Sequence, residues 1–200
     1  MKIALISLPR TGSTSISRYY KNINKDFVVI DEPFNLVVNN PTILYENLLK
    51  KDNLFIKTMY GDNPLEFKNM SAKEFVLKLI DDFDLVLFLT RRNIKEHTES
   101  YIQAIQTSKW ASNYVYDSKF NVLYNEIENK LNKLNLELIE TCTELNKPLY
   151  FYEDLYDSFK KENIIEFLYS IGCDYDKELF NKFLNTSNKY RVTPTYKTII

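Results

Sequence analysis

The sequence predicts an α/β fold: a three-layer sandwich with a central, mostly parallel sheet. Short apolar runs of strand length alternate with longer helical patterns along the chain. The short runs are continuous rather than alternating, which is how strands read when both faces of a sheet are covered. No linker, internal repeat or low-complexity stretch divides the 200 residues, so a single domain over 1–200 is expected.

The expected strands are Ile3 to Ser7, Phe27 to Ile30, Leu54 to Lys57, Leu85 to Leu89 and Leu149 to Tyr152, each short and rich in β-branched or aromatic residues. Helices are expected between them. Thr14 to Lys21 follows a glycine-containing loop, and Pro41 to Lys50 opens on a proline, which suits a first helical turn. Ser71 to Ile80 starts Ser-Ala-Lys-Glu, the pattern of a capping box. Asn93 to Ser108 is a further helix. The longest runs from about Phe120 to Leu145, with Leu123, Ile127, Leu131, Leu134, Leu138, Cys142 and Leu145 along one stripe. Ile164 to Ile171 ends at Gly172, a candidate left-handed cap.

Composition excludes several classes of function. A hydrophobic fraction of 44% with 14% aromatics supports a packed core rather than disorder. A net charge of −1 lacks the cationic field that broad nucleic-acid binding needs, so any anion site is local. One histidine (His97) and two separated cysteines (Cys142 and Cys173) do not make a zinc site, and no metal is expected. No stretch approaches the roughly 18 apolar residues of a membrane span. A reduced, cytoplasmic setting is the expectation.

The loop Leu8-Pro9-Arg10-Thr11-Gly12-Ser13-Thr14-Ser15 follows the first strand and opens a helix. In that context backbone N–H groups point outward at the positive helix end and favour a phosphate-like anion. Ser13 and Thr14 add hydroxyl donors, and Arg10 adds charge. The chain has only three glycines, which makes one here informative. The same letters also fit an ordinary turn with a Ser or Thr N-cap. A nucleoside-triphosphate enzyme would show GxxxxGK[ST] and an Asp after a later strand. This loop has no Gly-Lys pair, and Leu85 to Leu89 runs into Thr90-Arg91-Arg92.

Arg92 and Ser100 lie eight residues, or about two helical turns, apart on the helix that follows. The loop and this pair occur together. LPRTGSTS resembles the 5′-phosphosulfate loop of the sulfotransferase superfamily, PRSGTT or PKSGTTW, and RNIKEHTES resembles its 3′-phosphate motif, an Arg followed by a Ser at +8. LYFYEDLYDSFKKENIIEFLYSIG is similar to the family's YEDL strand–helix segment. LTRRNIKEHTESYIQAIQTSKW looks like bacterial trehalose-type carbohydrate sulfotransferases. The likeness spans about Lys2 to Cys173 with the motifs in family order.

This resemblance implies a P-loop-like sulfotransferase fold. The implied donor is 3′-phosphoadenosine 5′-phosphosulfate (PAPS), leaving PAP as product, with no metal. Arg10, Thr11, Gly12, Ser13, Thr14 and Ser15 would hold the 5′-phosphosulfate, and Arg92 and Ser100 the 3′-phosphate. Tyr152 matches a position that touches adenine, or is a core tyrosine on a strand. The tail Ser187 to Arg191 lacks the family's Arg-Lys-Gly pattern.

Arg10 is the first candidate to stabilise charge on the bridging oxygen. Lys57 matches the Lys of a Lys-Thr-His-Leu-Pro segment, or is a snorkelling strand-end lysine. Where that segment has a catalytic His this chain has Met59, and His97 reads as a surface or packing residue. Glu32 matches the base of carbohydrate-type relatives, and burial beside Pro33 and Phe34 would raise its basicity. The implied acceptor is a hydroxyl of a small molecule, a sugar or glycolipid. Gln103, Gln106, Trp110, Tyr114 and Tyr116 are candidates to recognise it, to pack a helix, or to form a homodimer contact.

Overall fold

The computed structural model describes residues 1–34, 41–61, 70–107, 121–156 and 161–183. The strands β1 (Lys2–Ser7), β2 (Val28–Asp31), β3 (Leu54–Met59), β4 (Leu85–Thr90) and β5 (Leu149–Phe151) form one sheet. Their order is β2-β3-β1-β4-β5. Each neighbouring pair is parallel, so the expected mostly parallel sheet is wholly parallel among the described strands. The helices are α1 (Ser13–Ile23), α2 (Pro41–Leu49), α3 (Ala72–Asp82), α4 (Ile94–Thr107), α5 (Asn121–Glu144), α6 (Tyr152–Leu155), α7 (Lys161–Ser170) and α8 (Lys177–Phe183).

The three layers follow from strand periodicity. Successive side chains on a strand point to opposite faces. Ile3 and Leu5 of β1, Phe55 of β3, and Leu87 and Leu89 of β4 pack with α1, α6, α7 and α8 in one apolar cluster. Ala4, Ile6, Ile56, Val86 and Phe88 pack with α2, α3 and α5 in the other. Both faces of the sheet are therefore covered, which is why these strands read as continuous apolar runs. Tyr20 of α1 stacks on Phe55 at 4.5 Å and meets Phe27 edge-on at 5.2 Å, locking α1 over the sheet.

Local chemistry at the element ends matches the sequence. Ser71 and Glu74 form the expected capping box at the start of α3. Gly172 takes φ 68 after α7, a left-handed cap. The expected stripe on α5 buries Leu131, Leu138 and Cys142, with Leu134 and Leu145 partly covered. Tyr152 differs from its expected place: β5 stops at Phe151 and Tyr152 opens the short helix α6. Helix α8 is a further element that its seven-residue length and mixed polarity conceal.

The topology singles out one end of the sheet. From β1 the chain crosses to β2 at one edge, returns through β3, and then passes to β4 and β5 on the other side. Ligands of open parallel sheets bind at the carboxyl ends of strands where the order reverses. Here that is the junction of the β1, β3 and β4 ends. Phe55→Ala is expected to cost about 3–5 kcal/mol and Ser71→Ala about 1 kcal/mol in urea unfolding, without change of fold.

Candidate functional site

Three strands send polar side chains to the same side of the sheet at this end. Ser7 continues the row of Ile3 and Leu5, Asp31 the row of Val29, and Lys57 the row of Phe55, and these rows face α1. Each meets α1 or its entry loop. The Ser7 hydroxyl donates to Ser13 Oγ at 2.9 Å. The Ser17 hydroxyl donates to Asp31 at 2.5 Å. Lys57 Nζ donates to Thr14 Oγ1 at 3.2 Å and forms an ion pair with Glu32. The Lys57 side chain is 1% exposed and that of Glu32 30%, so the ammonium is enclosed while the carboxylate reaches toward solvent. Lys57 is thus not a snorkelling lysine.

The loop into α1 is shaped by its glycine. Gly12 is the N-cap at φ 80, with no side-chain cap bond, so the alternative of a Ser or Thr N-cap is not what forms. Its carbonyl accepts from the N–H of Ser15 at 3.0 Å and of Ile16 at 3.4 Å, starting the helix. A Cβ on Gly12 would stand 2.5 Å from the ring of Tyr156, so left-handed backbone and close approach both demand glycine. The first N–H groups of a helix have no intrahelical acceptor, and α1 presents them here with the Ser13 and Thr14 side chains. Thr11 turns its hydroxyl inward to the Leu8 carbonyl at 2.8 Å.

Strain is concentrated at the same place. Three non-glycine residues among those described have positive φ, and two are Arg10 (64°) and Glu32 (51°). A non-glycine residue in that region costs of order 1 kcal/mol or more and persists where surrounding structure holds it. Glu32 is held by its backbone N–H, which donates to the Lys57 carbonyl at 2.6 Å, and by its ion pair.

On the other side of the loop, Arg10 Nε donates to Ser100 Oγ at 3.1 Å. Burial, and then the neighbouring Arg91 charge, pull the Arg10 guanidinium below its ordinary pKa. A bound anion beside Arg10 would relieve both. Arg92 is not brought to Ser100: its guanidinium forms a bidentate pair with Asp154 at 2.5 and 2.6 Å and lies 4.0 Å over the Phe151 ring. Arg91 was not singled out from sequence. It is buried, sits 4.4 Å over the Tyr152 ring, and pairs with Glu96 at 3.2 Å and Glu153 at 3.7 Å. Glu153 also accepts from the backbone N–H of Arg92 and Asn93 at 3.0 and 3.1 Å, fixing the turn before α4.

Tyr152 is buried against Tyr156, with ring centroids 4.8 Å apart, and touches the site through Arg91. His97 is buried, not superficial, and lies under the loop with Nε2 2.5 Å from the Pro9 carbonyl. A carbonyl only accepts, so Nε2 carries the proton, and Nδ1 is buried without a hydrogen-bond partner among the described residues. His97 is a loop anchor. Met59 Sδ lies 3.8 Å from the Ser7 hydroxyl oxygen. Gln103 is buried in α4, while Trp110, Tyr114, Tyr116, the tail 187–191 and the side chain of Gln106 lie outside the described residues. Among the described residues no group of three His, Cys, Asp or Glu is placed to hold a metal ion. Nor is any helix there long and apolar enough to cross a membrane.

Burial, more than any other cause, lowers the His97 pKa to about 4 from an ordinary 6.5. The unfolded chain then binds the proton more readily than the folded one between those values. Stability held above pH 6.5 is lost as pH falls toward 4, by about 3 kcal/mol from this group. Urea unfolding across that range should show the loss, and His97→Gln should flatten the slope.

No family model and no curated protein matches the sequence. Solved structures do resemble the fold. The mouse sulfotransferase SULT7A1 complexed with PAP superposes with a TM-score of 0.58 at 16% identity, covering 93% of this chain. This chain spans 63% of that protein's length. The sulfotransferase domain of the Synechococcus PCC 7002 olefin synthase gives a TM-score of 0.44 at 13% identity, over 91% of this chain and 76% of that one. The parallel sheet and its helical layers are those of the sulfotransferase fold.

Proposed function

We propose that the protein transfers a sulfuryl group from PAPS to a hydroxyl of a small acceptor, a carbohydrate. One observation supports this above the others. The enclosed Lys57 ammonium bridges Thr14, in the anion-binding turn, and Glu32, a carboxylate open to solvent. A cation for the leaving group and a base for the incoming hydroxyl are then in contact before any substrate arrives. The fold shared with a sulfotransferase that binds PAP agrees with that reading.

In this mechanism the loop Arg10 to Ser15 receives the 5′-phosphosulfate on the α1 N-terminal amides and the Ser13 and Thr14 hydroxyls. Arg92 exchanges Asp154 for the 3′-phosphate beside Ser100, and Tyr152 offers an aromatic edge to adenine. Glu32 takes the acceptor proton as the acceptor oxygen bonds to sulfur. The bond from sulfur to the bridging oxygen breaks, and its electron pair leaves with PAP. Lys57 and Arg10 stabilise the charge growing on that oxygen, where a cation in a dry site lowers the barrier most. Lys57, released from Glu32 as it turns to that charge, leaves the carboxylate free to accept the proton.

Isothermal titration is expected to show PAP binding with no response to ATP and magnesium. Arg92→Ala should weaken PAP about 10- to 100-fold, since a charge-assisted contact is lost. Absence of PAP binding removes the proposal. Glu32→Gln should leave PAP affinity within about twofold while lowering turnover of a sugar acceptor about 100-fold or more. Unchanged turnover takes Glu32 out of the mechanism. PAP binding by the unaltered chain without turnover of any acceptor points to a non-catalytic binding module.

A further inference from the structure

Tyr156 closes the short helix α6, with its side chain in the floor of the loop. Its phenol donates to the Gly12 carbonyl at 2.7 Å. The Ser15 side chain also hydrogen-bonds it. The hydroxyl end of its ring fills the space that a Cβ on Gly12 would need, and the ring stacks on Tyr152 at 4.8 Å with planes 26° apart. The Gly12 carbonyl belongs to the first peptide of the anion-binding turn. Fixing that oxygen fixes the plane of the Gly12–Ser13 peptide, and so the direction of the Ser13 N–H, one of the helix's unsatisfied donors. Tyr156 is 3% exposed, so it supports the loop from beneath and leaves the loop's outer side open to a ligand.

We infer that Tyr156 is a positioning residue whose hydroxyl sets the aim of the 5′-phosphate donors and whose ring braces Tyr152, making the two ends of the donor site one unit. This inference rests on the PAPS reading for the identity of the ligand. It concerns how the site is held, and it gives the residue no contact with the reacting atoms. Replacing the phenol by a phenyl ring removes the bonds to Gly12 and Ser15 and keeps the stack. The loss should then fall on the 5′ end of the ligand alone.

The test compares the unaltered chain with Tyr156→Phe by titration of PAP, of adenosine 3′-phosphate, which lacks the 5′-phosphate, and of inorganic pyrophosphate. PAP and pyrophosphate should weaken about five- to tenfold, the worth of one well-placed hydrogen bond, with adenosine 3′-phosphate within twofold. A purely structural role would weaken all three alike or none, and either result overturns the inference. The ratio of PAP to adenosine 3′-phosphate affinity is read on the same folded protein, so a lower melting temperature does not obscure it. Failure of the unaltered chain to bind PAP removes the donor reading. In that case the pyrophosphate arm decides alone: weakening in Tyr156→Phe keeps Tyr156 as the loop's support, and no weakening removes it.

Discussion

Lys57 is an ammonium taken out of water at the end of a central strand, and much of the site can be traced to that placement. Burying such a charge costs several kcal/mol unless it is paired and hydrogen-bonded. The chain meets that demand with two oxygens, one from the turn before Pro33 and one from the first turn of α1. The Glu32 backbone is held at positive φ to bring its carboxylate over β3, and Thr14 is brought by the left-handed Gly12 that starts α1. Removing either oxygen leaves the ammonium short of a partner. The strained backbone and the enclosed charge are therefore two aspects of one arrangement.

A second group of charges stands on the other side of the loop, and its balance is different. Arg10, Arg91 and Arg92 crowd the ends of β1 and β4, against Glu96, Glu153 and Asp154. Arg91 is buried and spent on internal pairs and the Tyr152 ring. Arg92 is exposed and paired with a carboxylate that is itself open to solvent, a contact that is cheap to exchange. An anion that displaced Asp154 from Arg92 would exchange one ion pair for another, so its binding would depend on ionic strength less steeply than binding to a free arginine. Neutral His97 beneath the loop adds no competing charge.

Sequence conveys these parts unequally. The strands were legible because continuous apolar runs and parallel sheets imply each other, and the Ser71 capping box and Gly172 cap were legible from local chemistry. The turn into α1 was legible because a scarce glycine followed a strand and preceded a helix. Lys57 and Glu32 were nominated separately, by likeness, and their contact was not foreseen, since it joins residues 25 apart through a backbone conformation that a glutamate rarely adopts. The eight-residue spacing of Arg92 and Ser100 suggested a shared ligand, yet helical spacing says nothing about a side chain at the helix entrance that finds a carboxylate on another element. Ser7 was within reach of a parity argument: the strand that buries Ile3 and Leu5 toward α1 must turn Ser7 the same way. Tyr156 had no local signal, because its role comes from α6 lying against a loop in the first tenth of the chain.

That last relationship bears on the order in which the molecule is made. The hydrogen bond from Tyr156 to Gly12 joins residues 144 apart, and Glu153 reaches back 61 residues to the β4–α4 turn. During synthesis the loop emerges more than a hundred residues ahead of the segment that supports it. Closing so long a loop has an entropic cost, and the pairing of β5 with β4 carries α6 to the side of the Gly12 turn. A nascent chain ending before Leu149 already holds β1, β3 and β4, yet its Gly12 turn lacks the support of Tyr156. The turn at Gly12 is thus made well before the segment that holds it from beneath.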